Sequence, residues 1–117
     1  MSTTLEILTE TNYEAFLKTW DSSQPYSEYE GRWEEATTVY TNFSGNTGRL
    51  YDVLYPMRDY KDDFSQEADA TVNVATKAEL EQILSKETDE ELLEKWEYIM
   101  GYLDSVPETE TLYFFTD

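Results

Sequence analysis

Histidine and cysteine are both absent from the 117 residues. Without histidine the chain lacks the commonest general base, the usual zinc ligand and every Ser-His-Asp or Cys-His arrangement. Without cysteine it can build no disulfide framework and perform no thiol chemistry, and a zinc site made of carboxylates alone is not expected. Lys and Arg together number only eight, too few and too scattered to offer the phosphate contacts that nucleic acid requires. The four glycines (Gly31, Gly45, Gly48, Gly101) form neither a Walker A loop nor a dinucleotide fingerprint. No apolar run approaches the ~20 residues of a membrane span. The stretch from Met1 to Leu8 has neither the basic nor the apolar segment of a signal peptide. Asn42-Phe43-Ser44 fits the glycosylation sequon, and without a secretory signal it reads as a chance match. A cytoplasmic location is therefore expected.

What the chain has in excess is acid. Twenty-six Asp and Glu leave a formal charge of −18 at pH 7, whereas solubility asks a small domain for a magnitude of only ~2–8. A field this negative repels nucleic acid and anionic lipid and attracts basic proteins and cations. Disorder does not follow, because 39% of residues are hydrophobic and 15% aromatic, spread from Tyr13 to Phe115. A single folded domain over residues 1–117, with an acidic exterior, is the reading.

Local patterns suggest the elements. Thr3 to Leu8 alternates weakly, as an edge strand would. Thr11 and Glu14 form a capping-box pair, followed by Tyr13, Phe16, Leu17 and Trp20 at helical spacing, ending near Asp21 to Pro25. Arg32 to Phe43 is rich in strand formers. A turn cluster runs from Ser44 to Gly48, and Arg49 to Met57 reads as the return strand of a hairpin. A helix competes there, with Leu50, Val53, Leu54 and Met57 near a period of 3.6 and Pro56 limiting its length. Arg58 to Asp69 reads as an exposed connection and Ala70 to Ala75 as a strand. Thr76 with Glu79, and Thr88 with Glu91, are further capping boxes. They open helices lined by Leu80, Ile83 and Leu84, then by Leu92, Leu93, Trp96, Ile99, Met100 and Leu103. Leu112 to Phe115 closes the chain as a strand. The expected fold is α+β: antiparallel strands packed with about three amphipathic helices.

Chemistry is hard to place on such a chain. Paired carboxylates could cleave a glycosidic bond, yet with so many acids some pair always stands at a suitable separation. Asp59-Tyr60-Lys61 is a D-x-K triplet without a convincing partner acid. Read as a calcium loop, the segment from Asp59 to Phe64 lacks the required glycine and puts Lys61 at a ligand position. No enzyme activity, metal or cofactor is expected.

The acids themselves are then the candidate site. Opposite the apolar stripe of the last strong helix stand Glu90, Glu94, Glu97 and Asp104. Other groups are Glu28, Glu30, Glu34 and Glu35, and Asp59, Asp62 and Asp63. Residues four apart on a helix are separated by about 6 Å along its axis, against about 3.4 Å for successive phosphates of one DNA strand. A rigid carboxylate row can therefore approximate neighbouring or alternate phosphates. Tyr26, Tyr29 and Tyr60, lying among the acids, could add interface anchors. The plainer alternative is a solvated acidic surface, with Asp89 to Glu91 simply favouring a helix dipole.

In length, charge, aromatic content and missing His and Cys, the whole chain resembles the bacterial and phage DNA-mimic proteins. More narrowly it resembles the small bacterial mimic of the histone-like protein HU's DNA. Mimics share no sequence motif, so the resemblance carries over no individual residue. It implies a protein that occupies the DNA-binding site of a basic partner: an HU-like histone-like protein, or a restriction, CRISPR or DNA-repair enzyme; a monomer is expected. It implies no direct nucleic-acid or membrane binding. An acidic adaptor or immunity-type inhibitor of a basic toxin or enzyme, without imitation of DNA, is the competing expectation.

Overall fold

The computed structural model describes residues 2–44 and 47–117. Its elements run β1 (Ser2–Thr9), α1 (Glu10–Thr19), α2 (Tyr26–Ala36), β2 (Val39–Ser44), α3 (Thr47–Leu54), β3 (Arg58–Tyr60), α4 (Asp63–Glu67), β4 (Thr71–Thr76), α5 (Lys77–Ser85), α6 (Glu90–Tyr102) and β5 (Thr111–Thr116). The strands form one antiparallel sheet in the order β2-β1-β5-β4-β3. The α+β class is as expected, but among the described residues six helices cover the sheet where about three were expected.

Both faces of the sheet are covered. Side chains alternate across a strand, so Leu112 and Phe114 of β5 enter one core layer and Tyr113 and Phe115 the other. On the first face Leu5, Ile7, Val39 and Phe43 meet Leu50 and Val53 of α3, Leu80 of α5, and Leu92, Trp96 and Ile99 of α6. On the second, Leu8, Val72 and Val74 meet Tyr13 and Phe16 of α1, Tyr29 and Trp33 of α2, and Phe64 of α4. The second layer is mostly aromatic: Phe64 lies 4.9 Å from Phe16 and 5.0 Å from Trp33, centroid to centroid. This two-sided burial explains why Leu112 to Phe115 is a continuous apolar run.

Several sequence expectations are corrected. β1 is no edge strand; it lies between β2 and β5, and Leu5, Ile7 and Leu8 are fully buried. The first helix is capped by Thr9, whose hydroxyl accepts the Asn12 N–H at 3.2 Å. Thr11 instead donates its N–H and hydroxyl to Glu110, at 3.0 and 2.8 Å. Arg32 to Ala36 belongs to α2, because Tyr29 and Trp33 at i, i+4 give a buried stripe while glutamates fill the other sides. Strand structure begins only at Val39, where burial alternates.

Residues 49–54 lie in α3 and not in a hairpin strand. The 3.6 period prevails because Leu50, Val53 and Leu54 are buried together, while Tyr55 is 86% exposed. Gly45 and Asn46 of the turn cluster lie outside the described residues. The segment from Arg58 to Asp69 is structured: β3 pairs with β4. Asp62 caps α4 in a reciprocal box with Ser65, and Phe64 is buried. Asp69 takes φ 53°, a left-handed conformation that a short polar side chain tolerates, before β4. The Thr76–Glu79 box is present as expected. The cap of α6 is Asp89 in place of Thr88; its Oδ1 accepts the Leu92 N–H at 2.8 Å.

Because one strand serves both layers, Phe114→Ala and Phe115→Ala should each cost about 3–5 kcal/mol. Urea unfolding followed by tryptophan fluorescence and by far-UV circular dichroism should still give one coincident transition. Tyr55→Ala should stay within about 0.5 kcal/mol of the parent. Separate transitions for the two phenylalanine variants would contradict a shared core.

Candidate acidic interface

β2 is an edge strand of the sheet, and two acid-lined hollows meet along it. α2 packs on one face of the sheet and is tied to the neighbouring β1, where Trp33 Nε1 donates to Glu6 Oε2 at 2.8 Å; Thr38, just before β2, donates its N–H to the Ile7 carbonyl of β1. α6 packs on the other, with Trp96 6.1 Å from Phe43 and the Lys95 ammonium 5.3 Å from the Phe43 ring. A hollow between α2 and β2 is lined by Glu30, Glu34, Tyr26 and Tyr40. A second, between β2 and α6, is lined by Tyr40, Glu91, Glu94, Lys95 and Tyr98. Tyr40 belongs to both.

The expected acids divide on this geometry. Glu30 and Glu34 flank the hollow, while Glu28 and Glu35, seven residues apart, share the opposite flank of α2. Glu90, Glu94 and Glu97 are exposed along one flank of α6, and Asp104 is exposed beyond its end. Of these four only Glu94 also reaches the β2 edge; Tyr98 and Glu91 come from the other flank. Asp59, Asp62 and Asp63 do not join them. Asp62 holds the α4 cap and accepts the Tyr13 hydroxyl at 2.5 Å, so it is a structural group. Asp59 accepts from Asn73 at 3.2 Å, and Asp63 starts α4 over the far face.

The tyrosines sort in the same way. Tyr29 is buried and Tyr60 half-buried, leaving Tyr26 of the three as an exposed anchor. Tyr40, Tyr98 and Tyr102 are exposed as well, with the hydroxyls of the last two 2.9 Å apart. Period-2 burial along β2 is the signal that could have found Tyr40. Burial, the Asp62 hydrogen bond and its charge push the Tyr13 phenol far up; burial and Asp62 push Tyr60 to about 12.

Little positive charge offsets this surface. Among the described residues two ion pairs occur, Arg49 with Asp89 and Arg58 with Glu79 at 3.2 Å. Among those residues no group of three acids is arranged to hold a metal ion, and no helix is long and apolar enough to cross a membrane. No family model matches the chain, and no curated protein or solved structure is significantly similar to it.

Glu6 is the acid lining the α2 hollow whose charge burial disfavours. Burial holds its carboxyl above the ordinary glutamate range, Asp117 and Glu34 raise it further, and the Trp33 N–H only partly offsets them. A carboxyl raised in the folded state favours folding at pH below its ordinary value, and that contribution is lost as pH rises through the folded-state value. Glu6→Gln keeps an acceptor for Trp33. It should be more stable than the parent at pH 7 and lose that advantage as pH falls to about 4. Denaturation midpoints that differ equally at both pH values would rule out the carboxylate as the cause.

Proposed function

We propose that this protein is a DNA mimic: its fixed surface carboxylates occupy the DNA-binding site of a basic DNA-binding protein and so modulate its DNA contacts. The observation that carries the reading is the flank of α6. Glu90, Glu94 and Glu97 stand exposed at i, i+4 and i+7 with no ion-pair partner among the described residues. Their helix is anchored by the Asp89 cap and by fully buried Trp96, Ile99 and Leu103. Steps of about 6 and 4.5 Å along the axis follow from the helical rise, so the packed helix fixes the backbone positions of the row. Glu30 and Glu34 extend the negative surface across the β2 edge. A histone-like protein of the HU kind has the required chemistry, as does any restriction, CRISPR or repair enzyme with a basic DNA channel.

A second reading has its own support. The two hollows sharing Tyr40 form a compact patch of tyrosines and glutamates, which suits an inhibitor of a basic toxin or enzyme without imitation of DNA. Tyrosine is a common interface anchor. The two readings separate on competition. A mimic displaces duplex DNA from its partner without binding DNA itself, so increasing amounts should release labelled duplex from an HU-like protein in a gel shift. A stable ternary complex would instead favour the adaptor.

Charge reversal locates the surface. Glu94→Lys with Glu97→Lys should weaken partner binding at least tenfold, whereas Glu14→Lys with Asp63→Lys, on helices over the opposite face, should change it little. Both pairs alter net charge equally. Equal losses by calorimetry would indicate a diffuse field without a defined face. Affinity should also fall steeply between 0.1 M and 1 M salt, as the Debye length shrinks from about 10 to about 3 Å.

A further inference from the structure

The cavity beneath α2 has a character that imitation of phosphates does not require. It measures about 370 Å³, within the range of small-ligand sites, ~300–1,000 Å³. Its walls are the rings of Tyr26, Tyr29, Trp33 and Phe115, with Tyr26 and Tyr29 edge to face at 5.4 Å. Its charged groups are all acids: Glu6, Glu67 and Asp117. Trp33 is bonded to Glu6 Oε2, and Glu6 Oε1 accepts no hydrogen bond among the described residues. No basic side chain lines the space. Arg32, on the same helix, uses its guanidinium on the carbonyls of Glu28 and Thr19 and on Gln24 Oε1.

We infer that this cavity receives a guanidinium, the side chain of an arginine on a protein partner, stacked on the aromatic walls and hydrogen-bonded to Glu6. Aromatic faces attract cations, most strongly where water is excluded. A planar, weakly hydrated guanidinium suits both walls and carboxylate better than the compact ammonium of lysine, which keeps its water and cannot stack. A neutral apolar ligand would desolvate Glu6 further with only the Trp33 bond to offset it, and an anion would be repelled by all three acids. The raised carboxyl of Glu6 marks the same imbalance, which an entering cation relieves. The inference goes beyond mimicry, because duplex DNA has no aromatic socket for a side chain, and it is tested without any partner.

The probe is N-acetyl-arginine amide, titrated into the full chain at pH 7. The readout is the Trp33 indole N–H resonance, assigned by its loss in Trp33→Phe. A saturable shift of that signal is expected, with the Trp96 indole in the opposite core layer unmoved. N-acetyl-citrulline amide, of the same shape but neutral, should give no saturable shift, and the lysine analogue should bind more weakly. Glu6→Gln should weaken arginine binding on the order of tenfold, from loss of a charge-assisted bond. Tyr26→Ala, at a half-exposed wall residue whose loss leaves the core intact, should weaken it too. Equal shifts from citrulline, a non-saturable drift shared by Trp96, or unchanged affinity in both variants would overturn the inference. Binding of methylguanidinium without binding of the blocked arginine would also overturn it, by making the cavity a site for a free cation.

Discussion

Burial of one strand on both faces is the constraint from which the rest of the structure follows. β5 holds the centre of the sheet, and Leu112 to Phe115 are buried to a side chain. A sheet covered on one face only would have exposed Tyr113 and Phe115, or Leu112 and Phe114. Two helical layers let the chain place its apolar groups in two thin cores and turn its acids outward. That separation matters at a charge of −18, because self-repulsion acts against the compact state and has to be offset by apolar burial. The acids are consequently attached to the best-packed elements, as α6 shows, with glutamates one or two residues from fully buried Trp96 and Ile99.

Patterns of long period were legible in the sequence. α6 and α5 were readable from their stripes, the Thr76–Glu79 box from its spacing, and β5 from its aromatic run. Misreadings came where one or two large side chains did the work of a stripe. α2 buries only Tyr29 and Trp33, and α4 is one turn around Phe64, so neither shows a period to count. Arg49 to Met57 satisfied two periods at once, and only tertiary burial of Leu50, Val53 and Leu54 decides between them. Caps were displaced by one or two residues where adjacent Thr or Asp could serve equally well, as at Thr9 against Thr11 and Asp89 against Thr88.

The candidate site was legible in composition and only partly in place. Glu90, Glu94 and Glu97 stand on an exposed flank as the helical pattern implied. Asp62 shows why an acid count overstates a surface: it caps a helix and holds the Tyr13 hydroxyl. Tyr40 meets Glu6 through the pairing of β1 with β2 and meets Glu91 and Tyr98 through the packing of α6, which no linear spacing encodes. A negative field steers a partner from a distance, while a shaped contact fixes how it lies. α6 and the β2 edge offer these two elements side by side.

The central claim is that a basic protein binds along this edge. It is tested most directly by titrating an HU-like histone-like protein into the ¹⁵N-labelled chain at low salt and following the backbone amide resonances. The account predicts the largest perturbations in α6, α2 and β2, all reversed at 1 M salt. Perturbations centred on α1 and α4, or none at all with any basic DNA-binding protein, would contradict it.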